Sequence, residues 1–290
     1  MTAIQDSGIS MTLKGVQETT LFPLAAKAQD AAQSKPVLGD RYAAQTLSRI
    51  DANYDWRRAK GNAFFQAVLI SRARLLDLWT ANFLQSHDQA TVIHLACGLD
   101  NRCLRLAPIW NAPEKTVRWL DIDLPDVVHL RKGLDLPRPE GDYDLRAADA
   151  LDKDWLVAIP ADRPTIVIAE GLLMYLQPED GLSILQRAAQ RFQGVGGQII
   201  CDLAGSWVVG NQKHSPTSRM ATLHWTVNDA EMVAKAVRES GCQRFRLDHV
   251  TLTEEMTGGY SAQVSVFVKV LIWLVYWTPW RLFSYAKFAF

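Results

Sequence analysis

Thr91-Val-Ile-His-Leu-Ala-Cys-Gly-Leu-Asp-Asn-Arg-Cys-Leu-Arg105 is the stretch whose reading decides the fold. Its first part, Thr91–Ala96, is an unbroken run of strand length, and Cys97-Gly98-Leu99-Asp100 interrupts it before a helical period begins. A strand that stops at a small-residue turn and feeds a helix is where α/β sheets bind nucleotide-like ligands. Glycine lets the ligand approach the backbone, and the helix N-terminus offers free N–H groups. The same arrangement also serves as a plain connection, so the turn alone leaves both readings open.

The next acidic cluster narrows the choice. Roughly 25 residues further on, Val117-Arg-Trp-Leu-Asp-Ile-Asp123 reads as a second strand ending in carboxylates before Pro125. A carboxylate at that strand tip is placed to accept hydrogen bonds from ribose hydroxyls. The first turn lacks the three glycines of a dinucleotide site, so a nucleoside without a pyrophosphate fits better.

A chain of 290 residues buries a substantial core as one large domain with a modest extra segment. Lysine plus arginine (31) equals aspartate plus glutamate (31), so no global field draws the protein to nucleic acid. Cys97, Cys103, Cys201 and Cys242 form no CxxC pair and lie on or near apolar segments, which argues against a disulfide framework and against a metal site. The N-terminus has no basic start followed by an apolar stretch, so no secretory signal is expected and the reading is cytoplasmic.

Strands then alternate with helices in the manner of a mostly parallel sheet covered on both faces. Helices are expected over Thr20–Ser34, from Arg41, over Asn62–Leu84, Glu179–Phe192 and Asp229–Ser240; further strands over Asp144–Ala148, Thr165–Ala169 and Gln198–Leu203. Arg244–Val250 and Tyr260–Val268 read as a closing antiparallel hairpin. Along Asn62–Leu84 the apolar positions Phe65, Leu69, Leu76, Trp79 and Phe83 recur at three- and four-residue steps, with Arg72 on the same stripe. A guanidinium there is paired with a core carboxylate, snorkels outward or points into a ligand cavity. Gly98, Asp123, Asp149 and Glu170 all fall at carboxyl ends of strands, where a parallel sheet opens its ligand crevice. Each carboxylate alone could instead cap a helix or sit in a solvated loop, Asp149 above all.

With these residues in place, the sequence resembles the leucine carboxyl methyltransferase and polyketide O-methyltransferase family. His94-Leu-Ala-Cys-Gly-Leu-Asp-Asn-Arg102 is similar to its G-x-G-x-D-T-R turn, Asp121-Ile-Asp-Leu-Pro125 to E-x-D-x-P, and Ala169-Glu-Gly-Leu-Leu-Met-Tyr-Leu176 to A-E-G-x-x-x-Y-L. Ser71-Arg-Ala-Arg-Leu-Leu-Asp77 is similar to its R-T-R-x-x-D helix. The resemblance implies a Rossmann-like class I methyltransferase that uses S-adenosylmethionine. It implies Arg72 near the cofactor carboxylate, Gly98 against its backbone, Asp123 on the ribose, Asp149 with Ala150 beside the adenine, and Glu170 near the amino-acid end. Ala96 stands where the family has glycine, and Asn101 where threonine is common.

The resemblance divides the chain into an N-terminal helical segment and lid (1–60), a methyltransferase domain (61–268) and an aromatic tail (269–290). The acceptor it implies is a carboxylate or phenol of a small, polyketide-like molecule. The alternatives are the C-terminal leucine of a protein, or no catalysis at all. A carboxylate of pKa about 4 needs no base, whereas a phenol of pKa about 10 would benefit from one. Candidate groups are Tyr175 as a pocket wall or donor, and His224 or His214 as bases in the Gly205–Thr226 region, where solvated loop histidines are the simpler reading. In the tail, Val270–Trp277 is continuously apolar and is followed by Phe283, Tyr285, Phe288 and Phe290, yet it is too short for a span of about 20 residues. The expectation is docking on its own domain, with a homodimer contact or a membrane-surface anchor using Arg281 and Lys287 as alternatives.

Overall fold

Seven strands form one sheet in the order β3-β2-β1-β4-β5-β7-β6. The computed structural model describes residues 13–50, 55–59, 61–252, 266, 270 and 281–290. The strands are β1 (Gln89–Leu95), β2 (Thr116–Asp123), β3 (Asp142–Ala147), β4 (Thr165–Ala169), β5 (Gly197–Ala204), β6 (Arg246–Leu252) and β7 (Phe283–Ala289). β1 to β5 run parallel, and β7 runs antiparallel between β5 and β6. The expected α/β sheet, parallel with an antiparallel close, is what the chain forms.

The longer helices are α1 (Leu21–Ala31), α2 (Arg41–Ser48) and α3 (Ala63–Gln85). Short helical turns α4 (Arg102–Arg105) and α5 (Ala107–Trp110) follow β1, α6 (Pro125–Gly133) follows β2, and α7 (Asp154–Val157) follows β3. α8 (Pro178–Phe192), α9 (Ser206–Gly210) and α10 (Ala230–Glu239) complete the set. Helix starts follow local chemistry: the side chains of Asp40, Asn62 and Asp229 accept backbone N–H bonds at the first turns of α2, α3 and α10.

Alternate residues of the central strands face opposite layers. Val92, Ile166, Ile168 and Ile200 pack with Leu76, Trp79 and Phe83 of α3, whereas Ile93, Leu95, Val167 and Ile199 pack with α7, α8 and α10. α1 and α2 form a separate cluster with Val127 and Leu130 of α6, which lays the N-terminal segment over the carboxyl ends of β1 and β2.

The close of the sheet departs from expectation. The strand paired with β6 is Phe283–Ala289, drawn from the aromatic tail, while Tyr260–Val268 except Val266, and Val270–Trp277 except Val270, lie outside the described residues. Tyr285 and Phe288 are wholly buried, Phe290 nearly so, and Lys287 pairs with Asp248 at 2.9 Å. The tail residues Phe283–Ala289 are therefore built into the sheet. They form a strand because a slot between β5 and β6 buries alternate aromatic rings on both faces.

Candidate active site

The turn after β1 is shaped by two left-handed residues, Ala96 (φ +48°) and Gly98 (φ +54°). Glycine adopts this conformation freely, whereas alanine carries a cost of about 1 kcal/mol. At Gly98 a side chain is impossible on a second ground: a Cβ would lie 2.2 Å from Thr20 Oγ1. Thr20 instead accepts the Leu99 N–H at 2.9 Å, which ties the lip of α1 to the turn.

Asp123 braces the same turn. Its Oδ2 accepts the Gly98 N–H at 2.6 Å and its Oδ1 the Leu124 N–H at 2.7 Å, leaving further lone pairs for ribose hydroxyls. Burial pushes its carboxyl up, against the two backbone bonds.

These residues open onto a cavity of about 440 Å³, within the range of small-molecule sites. Strand order lays out its contents. At the β2 and β3 end stand Asp123, Leu124, Val127 and Ala148 to Leu151; in the middle, Gly98, Arg72 and Glu170; at the β5 and β7 end, Asp202, Val208, Leu223, Phe283 and Tyr285. α1 closes the top with Phe22, Leu24 and Lys27.

The middle is a buried charge network. Arg72 donates from Nε to Glu170 Oε1 at 3.0 Å and from Nη1 to Asp202 Oδ2 at 2.8 Å. Burial opposes its charge, but the Asp202 and Glu170 carboxylates outweigh that and hold it protonated. Of the fates open to this arginine, the structure combines two: it is paired in the core and it lines the cavity. Glu170 is gripped on its other oxygen by Arg102 Nη2 at 2.5 Å, and its carboxyl stays below the usual range although burial alone would raise it. Arg102, with no exposed surface, also donates to Asp77 Oδ1 at 2.6 Å and to His94 Nε2 at 3.0 Å. His94 accepting at Nε2 leaves its Nδ1 proton facing Asp121 Oδ1, 3.5 Å away. Lys27 meets Asp100 at 2.9 Å, both buried.

Of the residues singled out by sequence, Arg72, Ala96, Gly98, Asp123, Asp149, Ala150, Glu170, Tyr175 and His224 all line this one cavity, whereas His214 does not. Asp149 also accepts the Leu151 N–H at 2.9 Å, the self-capping turn that was the alternative for it. His224 is exposed and its backbone N–H donates to Met174 O at 2.8 Å. Arg74, off the stripe, is exposed and donates to Val37 O. Sequence reasoning missed Lys27, Asp202, Thr20 and Tyr285. Asp202 had a signal, a lone acid inside an apolar strand; Lys27 on an Ala- and Leu-rich helix gave a weaker one.

The model of the leucine carboxyl methyltransferase family matches residues 20–189, which hold all of these motifs. The chain belongs to the leucine carboxyl methyltransferase family. It is 38% identical over 232 residues, 79% of this chain and 82% of the relative, to the tetracenomycin polyketide synthesis O-methyltransferase TcmP of Streptomyces glaucescens. It is 39% identical, over 76% of this chain and 78% of the relative, to the S-adenosyl-L-methionine-dependent methyltransferase dpfgK of Gibberella zeae. A DUF574 family protein from Streptomyces avermitilis shares the fold at 14% identity, with a TM-score of 0.56 over 91% of this chain and 96% of its own. As a member of this family the chain is a class I, S-adenosylmethionine-dependent O-methyltransferase.

The cavity suits that cofactor. Gly98 presents bare backbone to the cavity, Asp123 keeps acceptor capacity for a ribose, Lys27 and Arg72 supply cations for a carboxylate, and Glu170 supplies an anion for an ammonium group. Among the described residues no cluster of ligands could hold a metal ion.

Proposed function

We propose that the chain methylates a carboxylate of a small, largely apolar acceptor of the polyketide class, seated at the β5 and β7 end of the cavity. The observation that carries this reading is the state of the one buried carboxylate among the described lining residues of that end: Asp202 is engaged on both oxygens, by Arg72 and by the Gly171 N–H, and so is not placed to take a proton from an acceptor. Burial pushes the Tyr175 hydroxyl up, against the nearby Arg72 charge, so it remains a donor. His224 is exposed at the rim. A phenol acceptor would need a proton removed there; a carboxylate arrives ionised.

S-Adenosylmethionine supplies the methyl group as a sulfonium, open to in-line displacement. The protein's part is positioning and exclusion of water. Gly98 and Asp123 hold the nucleoside, Ala150 and the Asp149 turn flank the base, and Arg72, Lys27 and Glu170 hold the amino-acid end. Arg102 keeps Glu170 in place, and Tyr175 donates to the acceptor. α1 and the Gly205–Thr226 segment cover the reacting groups, in line with a lid formed by residues 1–60 over the domain that follows.

Among the described residues no helix is long and apolar enough to cross a membrane, and the four cysteines are free and buried. A cytoplasmic site of action suits both. A small acceptor is favoured over a protein terminus by the likeness to TcmP, whose name places it in polyketide synthesis. The test is transfer of labelled methyl from S-adenosylmethionine to fractionated metabolites, followed by mild alkali. Label released as methanol marks a methyl ester; label that stays in a base-stable ether would overturn the carboxylate reading.

A further inference from the structure

A cofactor held by Gly98, Asp123 and Glu170 would leave the β5 and β7 end of the cavity for the acceptor. Its wall there is apolar and aromatic, with Phe22, Phe65, Val208, Leu223 and Phe283. Set into it are the hydroxyls of Thr19, Ser215 and Thr217, from two segments nearly 200 positions apart in sequence. Ser215 Oγ and Thr217 Oγ1 lie 2.9 Å apart, and the Thr217 N–H donates to Ser215 Oγ at 3.3 Å. Thr19 Oγ1 donates to Val16 O at 2.6 Å, so its remaining capacity is as an acceptor. The Tyr175 side chain lines the cavity beside both segments, with Thr19 and Thr217 close to its hydroxyl.

The charged groups nearest this strip, Arg72 and Asp202, are paired with each other at 2.8 Å, so what the strip presents is hydroxyls. Neutral hydroxyls in an apolar wall orient a ligand by bonding an uncharged oxygen, and a ligand that covers them without a partner forfeits those bonds. The aromatic rings around them favour a flat ligand.

Resting on the carboxylate-acceptor reading, we infer that Thr19, Ser215 and Thr217, with Tyr175 beside them, form a second polar subsite. It takes an uncharged ring oxygen, a ketone or phenol, of a flat aromatic acid, apart from the carboxylate that is methylated.

Two acids of the same outline test this with the full chain: anthraquinone-2-carboxylic acid, whose central ring carries ketones, and anthracene-2-carboxylic acid, whose rings carry no oxygen. Labelled methyl transfer gives kcat/KM for each. The parent should favour the anthraquinone acid by about tenfold or more, the discrimination expected where buried polar groups would lose partners. Thr217→Val and Ser215→Ala should each bring the ratio close to one, mainly by raising KM for the anthraquinone acid. Calorimetric affinity for S-adenosylhomocysteine should stay at the parent value. A purely structural role would lower the melting point and both rates together without moving their ratio. If Thr217→Val does not fold, Ser215→Ala carries the test. A parent with no preference, or a preference that survives in the folded variants, overturns the subsite. If neither acid is methylated while S-adenosylhomocysteine binds, the flat-acid acceptor is wrong and the subsite falls with it. Failure of S-adenosylhomocysteine to bind would instead count against the cofactor site.

Discussion

Arg131 donates from Nη1 to the Gly98 carbonyl at 3.2 Å and so holds the turn after β1 from behind. The same guanidinium reaches Cys97 Sγ at 3.1 Å and Asp121 Oδ2 at 2.9 Å, while Asp123 takes the Gly98 N–H. A turn held by both its N–H and its C=O tolerates an alanine at Ala96 in the left-handed region, where the family's glycine would be relaxed.

Ala96→Gly should therefore change little. It relieves a strain of about 1 kcal/mol and loses about 0.4–1 kcal/mol through the freer unfolded chain, so the melting point should stay within about 3 °C of the parent. Ala96→Val places a β-branched residue at φ +48° beside the cavity and should lower both the melting point and S-adenosylhomocysteine affinity. A valine variant indistinguishable from the glycine variant would show that the turn is not under this constraint.

Asp123→Ala should weaken S-adenosylhomocysteine binding by about 1.5–3 kcal/mol, the usual loss for a hydrogen bond to a charged group. Titration calorimetry at neutral pH reads this directly, and unchanged affinity would remove Asp123 from the site. Burial raises this carboxyl, so the folded chain holds the Asp123 proton more tightly than the unfolded one. Its contribution to stability is present at low pH and is lost as pH rises through the folded value. Asp123→Asn should remove that component from the stability profile.

Asp121 behaves with the opposite sign. Burial alone would raise its carboxyl, but Arg131, with hydrogen bonds from His94 and Trp119, lowers it to about 2. The stability this contributes, about 2 kcal/mol, is full above the unfolded value near 4 and disappears as pH falls towards 2. Denaturant melts of the parent and of Asp121→Asn across that window should converge as pH falls. A constant gap between them would refute the assignment.

Arg72→Lys keeps the charge but cannot reach Glu170 and Asp202 together in the geometry of a planar fork. The variant should bind S-adenosylhomocysteine at least several-fold more weakly while its far-ultraviolet circular dichroism matches the parent. A lysine variant that binds as tightly as the parent would show that the fork geometry is dispensable.

Phe288→Ala should cost about 3–5 kcal/mol, since its ring is wholly buried and stacks on Phe245 with centroids 5.1 Å apart. Thermal melts with and without anionic vesicles check this. Docking of β7 predicts a large drop that lipid does not alter, and a melting point unmoved by the substitution would contradict the packing.

By itself the sequence determined β1 to β5, the turn at Gly98 and the carboxylates at the strand tips. Apolar runs of strand length, a glycine break and an acid at the end of a run are local signals, and Thr165–Ala169 matches β4 residue for residue. The strand-tip residues it singled out, Gly98, Asp123, Asp149 and Glu170, meet in one cavity for the same reason: a parallel sheet brings all its carboxyl ends to one edge. Tertiary structure alone decided which strand closes the sheet. Tyr260–Val268 and Phe283–Ala289 are both β-prone, and the choice of Phe283–Ala289 depends on a slot between β5 and β6, set by pairing over some 80 residues of chain. It likewise decided the partners of Arg72, 98 and 130 positions away, and brought Lys27 to Asp100. Charge pairing has no period along a chain, so a buried arginine announces that it needs a carboxylate without saying which one.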